Sequence, residues 1–108
     1  MDMWAEYLIE REGKSCIWNE HGFAVYKIEG DNCYISEIYI KPESRRAKHA
    51  FFFGESVSNL AKGMGCKTIT GSVVPSLPGA TESLAGQIAF GFKVESSHND
   101  FIILRKVL

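Results

Sequence analysis

The feature that most constrains this fold is a change of period around one proline. Cys33–Ile40 is a run dominated by aromatic and β-branched residues, which suits a strand. Pro42 breaks it. From Ala47 the pattern becomes helical: Ala47, Ala50, Phe53, Gly54, Val57, Leu60, Ala61 and Met64 fall on one stripe at helical spacing. Ser44 is placed to cap the start of that helix, and Gly63 and Gly65 to end it. Cys66–Val74 returns to strand composition, with Gly71 marking a bulge or bend. A strand, a helix and a strand in this order pair their strands in parallel through a right-handed crossover.

The flanking segments extend the sheet. Ser15–Trp18, Phe23–Ile28 and Cys33–Ile40 are separated by Asn19-Glu20-His21-Gly22 and Glu29-Gly30-Asp31-Asn32, which predicts antiparallel hairpins. In Cys33–Ile40, Ile35 and Tyr39 share one parity, and Tyr34, Ile38 and Ile40 the other. That predicts a strand covered on both faces. Near the start, Met3, Trp4, Tyr7 and Leu8 form a short helical stripe within Asp2–Glu10, with Asp2 as N-cap. After the loop Pro75–Gly79, a helix is expected over Ala80–Phe90, with Leu84, Ala85 and Ile88 inward and Gly91 closing it. Phe92–Glu95 and Phe101–Val107 make a closing hairpin around Ser96–Asp100. The expected class is α+β (α/β), with a mixed, mostly antiparallel sheet flanked by helices.

Composition narrows the functional classes. At 108 residues the chain suits one domain over 1–108, since two would need roughly 100–200 residues each. With 45% hydrophobic and 23% charged residues, collagen-like, coiled-coil and disordered readings drop out. No apolar run approaches the roughly 20 residues needed to span a bilayer, so no membrane partner is expected. An acid follows Met1 and no apolar stretch comes after it, which argues against a signal peptide. Cys16, Cys33 and Cys66 read as buried free thiols in a reducing, cytoplasmic setting. Their spacing suggests no metal. The net charge of −1 gives no general attraction to nucleic acid. The local cluster Lys41, Arg45, Arg46, Lys48 and His49 lacks interleaved aromatics, which weighs against that partner.

That cluster sits where a helix follows a strand end. The helix's free N–H groups and dipole would form an anion site there, the alternative being a solvated first turn that merely carries basic residues. Cations in a first helical turn are disfavoured by the dipole unless an anion offsets them. Phosphate is the anion expected.

The run "EIYIKPESRRAKHA" resembles the GNAT superfamily of acyl-CoA-dependent N-acetyltransferases. Their signature is a strand ending in V-x-P, then (R/Q)-x-x-G-x-(G/A), then a helix whose N-terminal amides hold the pyrophosphate of coenzyme A. Pro42 matches the proline, Arg45 the Arg/Gln and Ala50 the final Gly/Ala. "AFGFKV" (Ala89–Val94) is similar to the family's helix-ending "L-G-F", and the element order from Ser15 to Leu108 also matches. The resemblance implies an acyl-CoA N-acyltransferase-like sheet with acetyl-CoA as cofactor. It implies contacts from Ile38, Tyr39, Ile40, Arg45, Arg46, Ala47, Lys48, His49 and Ala50. It implies Glu37 as the base that takes a proton from an acceptor amine, either a small molecule or a peptide. The alternative for Glu37 is a solvated strand-edge carboxylate, or an ion pair with Lys41 or Arg45.

The departures are specific. Lys48 stands where the family has a central glycine, Ala80 where it often has Asn, and Gln87 where it often has a tyrosine acid. The family's N-terminal strand and two helices are reduced to a shortened segment, Asp2–Arg11. Two functions are therefore expected from the same fold. One is an N-acetyltransferase acting on an unidentified amine. The other is a catalytically inactive, GNAT-like interaction or structural protein, such as compact genomes, those of phages included, could produce, with Phe52 and the Phe51–Phe53 run as a surface that could form a homodimer. The shortness implies an acceptor that is small and openly bound, or walled by a second subunit, or absent. His21 and His98 read as solvent-facing loop residues.

Overall fold

The computed structural model describes residues 3–45 and 47–108. The strands are β1 (Ser15–Asn19), β2 (Gly22–Glu29), β3 (Asn32–Ile40), β4 (Thr68–Val73), β5 (Lys93–His98) and β6 (Phe101–Val107). The helices are α1 (Met3–Tyr7), α2 (His49–Gly63) and α3 (Ala80–Phe90). The strands form one sheet in the order β1-β2-β3-β4-β6-β5. Among the described residues only β3 and β4 pair in parallel, joined by the α2 crossover; the other neighbours are antiparallel. The expected mixed sheet flanked by helices is therefore present, in the expected order.

The core lies between α2, α3 and one face of the sheet. Ala24 and Tyr26 of β2, Cys33 of β3, Ile69 and Val73 of β4 and Leu104 of β6 meet Phe53, Val57 and Ala61 of α2. The buried arc of α2 is Phe53, Gly54, Val57, Ser58 and Ala61. Ala47, Ala50, Leu60 and Met64, expected on the same stripe, are exposed. Gly54 faces the Phe90 ring, and a β-carbon there would lie 3.5 Å from it, an ordinary contact. Phe52 faces outward, 53% exposed.

Several expectations need correction. The mixed parity of β3 does not come from helices covering both faces. Between the pairs Val25↔Glu37 and Tyr26↔Ile35 the register slips, leaving Ser36 as an extra residue. Cys33 and Ile35 before this bulge, and Ile38 and Ile40 after it, therefore face the same core. Tyr34, Glu37 and Tyr39 share the opposite face. On α3 the inward set is Ala80, Leu84 and Phe90, with Gln87 against β4. Ala85 and Ile88 are exposed. Phe90 fixes this rotation through its edge contact with Phe51, 5.0 Å between ring centroids, and its contact with Phe92. Gly71 marks no bulge, because its pairing with Leu104 is regular; it makes room for Gln87.

The termini of the sheet also differ. β5 runs on to His98, so the tight turn is Asn99-Asp100, with Asn99 at φ 54°. α1 passes into a wide helical turn, Leu8–Glu12, which Gly13 closes at φ 65°. Leu8 is buried and Trp4 packs on Phe23, whereas Met3 and Tyr7 are exposed. The proposed cap Asp2 lies outside the described residues.

Cys33 and Cys66 are buried, and Cys16 is partly buried. Burial, reinforced by the neighbouring Cys66, pushes the Cys33 thiol up to about 12. Its thiolate is thus nearly absent near neutrality, so alkylation at pH 8 should reach Cys16 first and Cys33 only through unfolding. Peptide mapping after a timed iodoacetamide pulse checks this. The raised thiol favours folding while protonated. That contribution is complete below the ordinary value of 9.0 and is lost as pH climbs toward about 12.

Candidate functional site

The sheet forks at its centre. β3 and β4 pair only from Asn32↔Thr68 to Tyr34↔Thr70. Beyond this, β3 follows β2 as far as Ile40, and β4 follows β6 as far as Val73. The bulge at Ser36 lies just past the last shared pair, where the extra residue turns the strand away. Polar side chains fill the crotch. The Tyr34 hydroxyl lies 2.8 Å from Ser72 Oγ, and Asn32 bridges Thr68 and Thr70 at 2.9 and 3.0 Å. Gln87 Nε2 donates to the Ser72 carbonyl at 3.2 Å and to Ser83 Oγ at 3.3 Å. Gln87 Oε1 is buried without a hydrogen-bond partner among the described residues.

The start of α2 lies at the end of the β3 arm. Pro42–Ser44 makes a single tight 3-10 turn, Arg45 is extended, and Lys48 turns left-handed at φ 62°, ψ 15°. Its carbonyl then accepts the first helical bond, from the Phe52 N–H at 3.0 Å. No side chain among the described residues caps the helix. Ser44 is not the cap expected: it is buried, with Oγ 2.9 Å from His21 Nδ1. The helix N–H groups of His49, Ala50 and Phe51 precede the first internal bond and form a donor cluster.

Lys48 occupies the position where the resemblance expects glycine, and it adopts the left-handed conformation that glycine enters freely. A β-carbon there costs roughly 1–2 kcal/mol. Lys48→Gly should therefore raise stability by about 0.5–1 kcal/mol after the extra freedom of glycine in the unfolded chain is subtracted. Urea denaturation at unchanged m-value checks this.

The charged residues are arranged differently from expectation. Arg45 folds back onto the strand: Nε donates to the Ile40 carbonyl at 2.9 Å, and the guanidinium lies 5.8 Å from the Tyr39 ring centre. Lys41 pairs with Glu43 at 3.9 Å. Ala47, Lys48 and Ala50 are exposed. Arg46 lies outside the described residues. His49 is half-buried and stacks on His21, with 3.7 Å between ring centroids. His21 is thus no plain loop residue: with Ser44 it pins the β1–β2 turn to the start of α2. Sequence spacing gave no sign of this, because the contact joins residues far apart in the chain.

Glu37 is exposed on the sheet face opposite α2. Among the described residues it makes no ion pair, and both proposed partners, Lys41 and Arg45, are engaged elsewhere. It borders a cleft of about 280 Å³ between the N-terminal segment and the sheet, with Trp4, Leu8, Phe23 and Val25 among its walls. Ile38 and Ile40 thus face the core that α2 covers, while Tyr39 shares the opposite face with Glu37. The chain Gln87–Ser72–Tyr34 at the crotch was missed by sequence reasoning. The substitution at Gln87 was its signal.

A forked sheet with a helix starting at the end of one arm defines a class: the chain has the GNAT acyl-CoA N-acyltransferase fold. The PaiA N-acetyltransferase from Thermoplasma acidophilum, in complex with coenzyme A, is similar at TM-score 0.75 and 22% identity, over 82% of this chain and 54% of that one. This chain thus spans about half the length of that enzyme. An acetyltransferase from Bacillus subtilis in complex with CoA is similar at TM-score 0.77 and 16% identity, over 99% of this chain and 84% of that one. The anti-CRISPR protein AcrVA5 is similar at TM-score 0.73 and 17% identity, over 86% of this chain and 97% of that one. No protein-family model and no curated protein sequence matches the chain.

Proposed function

We propose that this chain is an N-acetyltransferase that binds acetyl-CoA in the fork and transfers its acetyl group to an amine. The observation that carries the reading is the left-handed Lys48 at the uncapped start of α2, beside an arm of β3 that has left β4. Lys48, where the resemblance expects glycine, holds the left-handed backbone that glycine enters freely, which supports the reading. Two of the similar enzymes were solved with coenzyme A bound, which supports the choice of cofactor.

Acetyl-CoA would supply a thioester-activated acetyl group. The N–H groups of His49, Ala50 and Phe51 would hold its diphosphate, helped by the side chains of Lys48, Arg45 and Arg46. The free edge of Ile38–Ile40 would pair with the amide-bearing arm and turn a backbone N–H toward the acetyl oxygen, where negative charge develops. Glu37 would accept the proton released as the amine nitrogen bonds to the acetyl carbon. An ammonium acceptor loses one proton before attack and a second at Glu37. The amide of Gln87 could not serve as a titratable acid toward the departing thiol group, whose proton would have to come from solvent. The free thiols and the absence of any long apolar helix among the described residues fit a cytoplasmic setting.

The test is thermal stability with and without acetyl-CoA. A ligand at 100 times its Kd adds about 2.7 kcal/mol, a visible rise in Tm. No rise at millimolar acetyl-CoA would sink the reading. A second reading, a non-catalytic homodimer, draws on the exposed Phe51 and Phe52 and on Gln87 at the tyrosine position. Light scattering on wild type and Phe52→Asp decides it; a monomer in both removes it.

A further inference from the structure

We propose, resting on that reading, that the acceptor is a compact monoamine carried on an aromatic ring by a short aliphatic link, held in the cleft beside Glu37. The cleft has a volume of about 280 Å³ and is open to solvent on one side, so it seats one small apolar body against the sheet while leaving the rest of an acceptor outside. Its walls are apolar and aromatic: Trp4, Leu8, Phe23 and Val25. Trp4 stands edge-on to Phe23, 4.7 Å between centroids at 72°, and Phe23 stacks on Tyr39 at 5.5 Å. Such a ladder offers ring faces and edges to a flat apolar body.

The charge in the cleft selects one ammonium. Glu12 and Lys14 also line it, but they pair with each other at 3.1 Å. Glu37 is left as the single carboxylate there without a cation among the described residues. A polyamine needs more than one such group. A phosphorylated or acidic acceptor would meet the wrong sign. The register sets the length of the link. Glu37 pairs with Val25 and Tyr39 with Phe23, so carboxylate and ring wall are one step apart on the same face. That step is about 6.6–6.8 Å, the span of a ring and a short chain ending in nitrogen.

The experiment uses the whole chain with acetyl-CoA and a panel of amines: tryptamine, 2-phenylethylamine, spermidine, glycine amide, and a pentapeptide beginning with Phe. Release of the coenzyme A thiol reports turnover, and tryptophan fluorescence reports binding separately. The two arylethylamines should give kcat/KM at least tenfold above spermidine and glycine amide. Trp4→Ala should raise KM for tryptamine about tenfold with little change in kcat, and Trp4→Phe should restore most of the loss. Circular dichroism confirms that both variants are folded. Equal or better turnover of spermidine, glycine amide or the peptide overturns the proposal, as does an unchanged KM in folded Trp4→Ala. If acetyl-CoA raises Tm but neither arylethylamine binds or reacts, this inference alone fails. If acetyl-CoA does not bind, the parent reading fails with it.

Discussion

Replacing Glu37 with glutamine is expected to lower kcat by about 10²- to 10⁴-fold, the range typical for loss of a general base. Glutamine keeps the shape and the polar oxygen but cannot hold the proton shed by the amine. Glu37 is exposed and makes no ion pair among the described residues, so stability should stay within about 0.5 kcal/mol. Binding of acetyl-CoA should be unchanged, because Glu37 projects from the face opposite the start of α2. The useful signature is therefore a drop in kcat with an unaltered ligand-induced rise in Tm. Full activity in Glu37→Gln would remove this residue from the chemistry.

Phe53→Ala should cost about 3–5 kcal/mol, the range for deleting a buried phenyl ring. Phe53 is 1% exposed and is among the largest fully buried side chains in the chain. A domain of this size has roughly 5–15 kcal/mol in total, so the loss takes a large share of it. At about 4–8 °C per kcal/mol the fall in Tm should exceed roughly 12 °C. The neighbouring Phe52→Ala is the control. Phe52 is 53% exposed, so its loss should cost under about 1 kcal/mol. Thermal unfolding of the pair reads the rotation of α2 directly. Similar losses in both would mean that α2 presents a different face to the sheet. The ring also seats the first turns of α2, so Phe53→Ala should weaken acetyl-CoA binding even where the chain remains folded.

The large elements were legible because they rest on local signals. Pro42 cannot continue a strand, the stripe through Phe53, Val57 and Ala61 has helical spacing, and Gly91 ends α3 at φ 109°. The details of the site were not, because each depends on contacts between distant residues. The bulge at Ser36 shows in the sequence only as mixed parity, which two covered faces would explain equally well. Distinguishing them requires the register of β2. Ser44 has the chemistry of a helix cap but is held by His21, from a turn far back in the chain. The rotation of α3 follows Phe90, whose partners lie on α2 and at the start of β5. Lys48 is the instructive case. Lysine is disfavoured in a left-handed turn, yet its backbone turns as glycine would. Residue identity gave the cost of that turn, and the fold decided that the turn is made.

The central claim is that the fork and the start of α2 form one ligand site. Amide NMR of the ¹⁵N-labelled chain titrated with acetyl-CoA tests it most directly. The account predicts that the amides of Lys48–Phe51 and Ile35–Ile40 shift together along one binding curve, while those of the β5–β6 hairpin tip at Asn99-Asp100 stay in place. Shifts confined to other elements, or none at millimolar acetyl-CoA, would contradict it.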